Sequence, residues 1–171
     1  MNASDWIIEN LEHPEVLESN TLNSLGNFTM MWAIFEASEG EERNNMLGQI
    51  TLFSNRIAEH APVTLIDEEF SYWKDRYIAN GEQTNKFRHL RLSDARQEEL
   101  LLTTLSSEHP TFRDKLESCL LIVYRYRNNM FHGMKDVRKL NDQKNNFLMA
   151  TSLLQKVLPF GRAYWLGFPQ L

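Results

Sequence analysis

Tyr124-Arg125-Tyr126-Arg127-Asn128-Asn129-Met130-Phe131-His132-Gly133 follows directly on Cys119-Leu120-Leu121-Ile122-Val123, the most apolar run of the chain. The spacing predicts one helix over about 110–131, with Pro110 at its start and Gly133 as its terminator. At 3.6 residues per turn, Leu116, Leu120, Val123, Arg127 and Met130 share one stripe. Leu121, Arg125, Asn128 and His132 form the row beside it, with Asn128 and His132 four apart on one face. Arg127 interrupts a core-facing row, and its long side chain can reach toward Asn128 and His132. A core helix that finishes in arginines, asparagines and a histidine breaks local consistency, as functional sites do. The alternative is structural: Arg125 and Arg127 snorkel to a surface and His132 decorates a helix end. Against it stands the convergence of Arg, Asn and His at one end of an apolar helix.

Working outward, the same periodicity repeats. Leu25, Phe28, Trp32 and Phe35 mark a helix over about 20–37. Met46, Ile50, Phe53 and Ile57 mark another over about 41–60, stopped by Pro62. Ile66, Phe70, Trp73 and Tyr77 mark one over about 65–79, ended by Asn80-Gly81. A short amphipathic helix over 3–12 takes Ser4 as N-cap and turns Trp6, Ile7 and Leu11 inward. Ser93 suits the N-cap of a helix reaching about 106, with Leu101 and Leu105 inward. The last helix, about 136–158, carries Leu140, Phe147, Leu154 and Leu158 and stops before Pro159. The short connection at Gly133 pairs it with the motif helix in antiparallel fashion. Residues 81–92 show no helical period. Lys86, Arg88 and Arg91 there interleave with Phe87 and His89, which suits either an RNA-facing loop or a connection that tucks Phe87, Leu90 and Leu92 into the core. The aromatic tail after Phe160 packs back onto the rest. With no alternating strand pattern, the expectation is all-α, an antiparallel bundle of about five to seven helices.

The chain has 171 residues, enough for one domain with a real core. Hydrophobic residues at 42% and charged residues at 24% describe an ordinary soluble protein. The N-terminus lacks the features of a signal peptide, no run approaches a membrane span, and the single Cys119 forbids an internal disulfide, so a cytoplasmic protein with no membrane association is expected. Net charge is −5 but uneven. Residues 1–42 contain Asp5, Glu9, Glu12, Glu15, Glu18, Glu36, Glu39, Glu41 and Glu42 and neither Lys nor Arg. Around the motif stand Arg125, Arg127, Lys135, Arg138, Lys139 and Lys144 against Asp136 and Asp142. The acidic segment either keeps the protein soluble or covers the basic cluster. His13, His60, His89, His109 and His132 lack metal-site spacing, and no phosphate loop or nucleophile elbow occurs. No cofactor or metal is expected. What remains is acid–base chemistry with Arg and His: histidine moves protons near neutral pH and arginine forks onto phosphate.

Arg127-Asn128-Asn129-Met130-Phe131-His132 reads R-N-x-x-x-H. It resembles the signature of the HEPN superfamily, an Arg and a His four to six residues apart with a polar residue after the Arg. The full ten-residue string is similar to the Y-R-x-R-N-N-x-F-H-G form of Apea-like bacterial members. The match is close over residues 116–135 and extends over a core of about 66–158 within a single domain of 1–171; an acidic helical extension, about 1–60, carries no resemblance. The resemblance implies a helical bundle and a metal-independent endoribonuclease with Arg127 and His132 as catalytic residues and Asn128 accompanying them. Arg125, Lys135, Arg138 and Lys139 are the expected RNA-binding cations. It further implies RNA as partner, a homodimer that joins two motifs, and a toxin–antitoxin or phage-defence setting, often beside a nucleotidyltransferase-like antitoxin. HEPN-like domains also occur as non-catalytic binding or dimerisation modules, which is the alternative; a plain helical scaffold with a buried polar network is a third.

Overall fold

A computed structural model describes residues 3–11, 17–39, 45–92, 94–133 and 137–161, with the side chains of 3, 4, 131–133, 137 and 138 outside that description. Ser93, Lys135 and the tail beyond Gly161 lie outside the described residues. Among those described, seven α-helices make an all-α bundle: α1 Ala3–Asn10, α2 Ser19–Glu39, α3 Met46–Ala58, α4 Asp67–Tyr77, α5 Ala95–Ser106, α6 Phe112–Gly133 and α7 Lys144–Val157. No helix among them is long and apolar enough to cross a membrane.

The aromatic stripes of the sequence form the core. Phe28, Trp32 and Phe35 of α2, Ile50, Phe53 and Ile57 of α3, and Ile66, Phe70, Trp73 and Tyr77 at α4 are all buried. Each such side chain withdrawn from water contributes about 1.5–3 kcal/mol before entropy is counted. Leu116, Cys119, Leu120, Ile122 and Val123 seal the first three turns of α6 completely. Burial pushes the Cys119 thiol far up, reinforced by the Glu69 charge, so it serves as a small apolar residue.

Several details depart from the sequence reading. Trp6 is 58% exposed, so α1 rests on the core through Ile7, Ile8 and Leu11 instead. The chain after α4 does not simply stop. Ile78–Ala79 (β1) pairs antiparallel with Glu82–Gln83 (β2), and Asn80 and Gly81 between them have φ of 53° and 78°. Two left-handed residues between paired strands are what the Asn-Gly pair favours in a two-residue hairpin. Asp94, whose carboxylate accepts from the Gln97 amide at 2.9 Å, caps α5. Residues Val137–Gln143 form a 3-10 helix before α7, and Pro159 sits inside a further 3-10 turn, Leu158–Phe160.

The antiparallel pairing of α6 with α7 is also corrected. Among the described residues α7 lies chiefly along α2, with Phe28 stacked on Phe147 at 5.8 Å, and α6 lies chiefly along α3. Polar groups fix the α3–α6 seam: Thr51 donates to buried Glu117 at 2.7 Å, Arg113 pairs with the same carboxylate at 2.7 Å and donates to Asn55 at 2.9 Å. The start of α6 is capped by Thr111, whose hydroxyl accepts from the Asp114 amide at 3.2 Å and donates to its carboxylate at 2.7 Å.

One buried ion pair ties α4 to α7. Glu69 is fully buried, and its carboxylate meets Lys156 Nζ at 2.6 Å and the Ser152 hydroxyl at 2.5 Å. Lys156→Ala is therefore expected to lower stability by about 2–4 kcal/mol, below the full cost of breaking a sealed pair because Lys156 is partly exposed. Lys156→Arg should recover most of it. Urea denaturation of the two variants checks this; a loss under about 1 kcal/mol for the alanine would show that water already compensates Glu69.

Candidate functional site

Burial along α6 changes abruptly. Residues 116–123 are buried, whereas each residue from Tyr124 to Met130 is half-buried. The motif is thus where the central helix emerges from the core. At 100° per residue its side chains fan out in four directions, and three of them are taken by neighbouring elements.

Toward α2 point Tyr124 and Arg127, three apart. Tyr124 packs on Trp32 with ring centroids 5.9 Å apart, and Arg127 Nη2 pairs with Glu36 Oε2 at 3.3 Å. Toward α4 points Tyr126. Its ring lies 5.4 Å from Trp73, and its hydroxyl shares a 2.9 Å hydrogen bond with that of Tyr77 and accepts from Arg76 Nε at 3.1 Å. Burial raises the Tyr77 hydroxyl well above its ordinary pKa, with Tyr126 adding to the effect, so Tyr77 enters this contact as a neutral phenol at physiological pH.

Toward the 81–92 connection point Arg125 and Asn129, four apart. That connection is a 3-10 turn, Phe87–Leu90, ending in Arg91, whose φ of 50° is left-handed. For a residue with a Cβ this costs about 1 kcal/mol. Arg125 Nε donates to the Leu90 carbonyl at 3.0 Å and Nη2 to the Arg91 carbonyl. Asn129 Nδ2 donates to the carbonyls of His89 at 3.0 Å and Leu90 at 3.1 Å. These bonds satisfy the carbonyls of a turn that cannot continue as helix. Burial lowers the Arg125 pKa, with Tyr124 opposing, yet arginine retains its charge under all ordinary conditions. Arg125, expected from sequence as an RNA-binding cation, has two of its donors committed to this turn. Asn129 is the residue the sequence reading missed. The signal was present as its i, i+4 spacing from Arg125, but its partners lie forty residues away.

The fourth direction belongs to Asn128. Asn128 Oδ1 accepts from Arg127 Nη1 at 3.1 Å, so the structure brings Arg127 and Asn128 together. Among the described residues Asn128 makes no side-chain hydrogen bond outside α6. His132 lies in the last turn of α6, one turn beyond Asn128 by backbone register; its side chain is outside the described residues, as are those of Lys135 and Arg138. Lys139 is exposed.

The acidic N-terminal segment meets the basic cluster at two points. Glu36 pairs with Arg127 as above, and Glu18 approaches Lys144 at 3.9 Å while its amide donates to Asn141 at 3.1 Å. Of the two roles open from sequence, partial cover of the basic cluster is the one with contacts behind it. Among the described residues no group of three or more His, Cys, Asp or Glu is assembled as a metal site. No family model matches the chain, and no curated protein or solved structure matches it either, so the HEPN resemblance stands on the residues of α6 themselves.

Proposed function

We propose that this chain is an HEPN-like, metal-independent endoribonuclease acting as a homodimer, with Arg127, Asn128 and His132 at its centre. One observation carries the reading: on the row of Asn128, one turn before His132, Asn128 makes no side-chain hydrogen bond outside α6 among the described residues. Arg127 is tethered to that row through Asn128. In the reaction, the ribose 2′-hydroxyl attacks the adjacent phosphorus, the 5′-oxygen leaves, and a 2′,3′-cyclic phosphate remains. His132 transfers the proton, and Arg127 stabilises the charge that builds on the phosphoryl oxygens. One Arg and one His make a sparse site, and a two-fold axis doubles them. A toxin–antitoxin or phage-defence role, with a nucleotidyltransferase-like antitoxin, fits such an activity. Incubating labelled RNA with the wild type and His132→Ala in EDTA tests the proposal: the wild type cuts and the variant does not.

The second reading is a non-catalytic binding module, and the Glu36–Arg127 pair favours it, because that carboxylate competes with phosphate for the guanidinium. Under the ribonuclease reading, Glu36→Gln should tighten RNA binding about two- to fivefold. The melting temperature should barely move, since the pair is partly exposed and worth about 0–1 kcal/mol. Fluorescence anisotropy with a short RNA reads the affinity. Weaker binding by the variant would mean that Glu36 positions Arg127 instead of competing for it.

A further inference from the structure

We infer that the turn Lys86-Phe87-Arg88-His89-Leu90-Arg91, latched to the motif helix by Arg125 and Asn129, is a second RNA-backbone contact strip beside the site. This rests on the RNA-directed reading above and adds to it residues outside the motif. Phe87 and Leu90 are 3% and 2% exposed and anchor the turn in the core, with Phe87 edge-on to Tyr77 at 6.0 Å. Lys86, Arg88, His89 and Arg91 are all exposed. Among the described residues none of the four has an ion-pair partner. The bland role, a connection that tucks two apolar side chains inward, is therefore filled by Phe87 and Leu90 and leaves the cations unexplained.

The latch supplies the reason to expect a ligand. Arg91 is held in a left-handed conformation, and residues kept in sparsely populated conformations concentrate at binding and catalytic sites. The groups holding it, Arg125 and Asn129, belong to the same ten-residue string as Arg127 and His132. Their row on α6 adjoins that of Asn128, so the turn docks on the same end of the helix as the proposed reacting position. Fixed cations at that place meet the phosphates flanking a scissile bond. The exposed imidazole of His89 adds a flat face on which an unpaired base can stack. The chemistry selects a single-stranded polyanion with phosphate spacing, which under the ribonuclease reading is RNA.

The test measures binding of a fluorescein-labelled 20-nucleotide RNA to the full chain carrying His132→Ala, which prevents cutting, across about 50–200 mM salt. Two further versions of that chain are compared: Lys86→Gln/Arg88→Gln in the turn, and Asn145→Asp/Gln155→Glu on the exposed side of α7, which changes net charge equally. The turn pair should weaken binding about tenfold at the lowest salt and reduce the slope of log K against log salt by about 1.4, two phosphates' worth on a single strand. The α7 pair should change affinity less than about twofold. Circular dichroism should show both folded. If the turn pair matches the α7 pair while RNA still binds and the wild type still cuts, the strip is refuted and the ribonuclease reading stands. If the parent binds no RNA and the wild type cuts none, both fall together.

Discussion

His132→Ala is expected to reduce RNA cleavage by about 10²–10⁴-fold, the range lost when a positioned proton-transfer group is removed. Its melting temperature should stay close to wild type, because residue 132 lies in the final turn of α6, beyond the buried stretch that ends at Val123. Arg127→Ala should impair cleavage comparably by removing the charge that meets the phosphoryl oxygens. It should also be tolerated by the fold. The Glu36 carboxylate that it leaves is 41% exposed and can be hydrated, so loss of that pair should cost about 1 kcal/mol or less. Single-turnover cleavage of a labelled RNA, run beside thermal melts, separates the two effects. Unimpaired cleavage by either variant would remove that residue from the mechanism.

The largest expected effect on stability lies at Trp73. Its ring is fully buried and meets Tyr72 at 4.8 Å, Tyr126 at 5.4 Å and Tyr77 at 6.2 Å. It is the surface on which Tyr126, on the emerging end of α6, rests. Trp73→Ala should cost about 3–5 kcal/mol, the transfer term plus the cavity left among three tyrosines. Trp73→Phe should cost about 1.5 kcal/mol or less, because it keeps an aromatic ring and removes an indole N–H that has no hydrogen-bond partner among the described residues. Chemical denaturation measures both. Similar losses for the two would mean that the indole's second ring, and not the aromatic cluster as such, sets the packing.

Much of the bundle was legible because one rule governs it. Apolar residues three and four apart must share a face, and the stripes through Phe28, Ile50, Phe70 and Leu101 line the core, buried except for the half-buried Leu25 and Met46. The rule fails where the deciding partner is distant or the element is short. Trp6 fits an amphipathic pattern, yet α1 rolls onto Ile7, Ile8 and Leu11 and leaves the indole outside. Two-residue strands have no period to read, so the Asn80-Gly81 hairpin was visible only as a helix end. Sequence adjacency suggested that α6 and α7 pair, but the stacking of Phe28 on Phe147 draws α7 to α2.

The site was legible in part for the same reason. The rows containing Arg127, Asn128 and His132 follow from helical register. The assignment of Arg125 to RNA did not anticipate the carbonyls of Leu90 and Arg91, because the need for a donor there arises from a left-handed turn at Arg91 that no local pattern announces. Likewise the contact between the acidic segment and the basic cluster showed itself only once Glu36 was seen against Arg127.

The central claim is that the end of α6 cuts RNA through the substrate's own 2′-hydroxyl. The most direct measurement places one 2′-deoxyribose at the mapped scissile position of a labelled RNA and incubates it, beside the all-ribose parent, with the wild-type protein in EDTA. The account expects the parent to be cut to a product ending in a 2′,3′-cyclic phosphate and the deoxy substrate to survive intact at that position. Cutting of the deoxy substrate there, or a parent product bearing a plain 3′-hydroxyl, would contradict it.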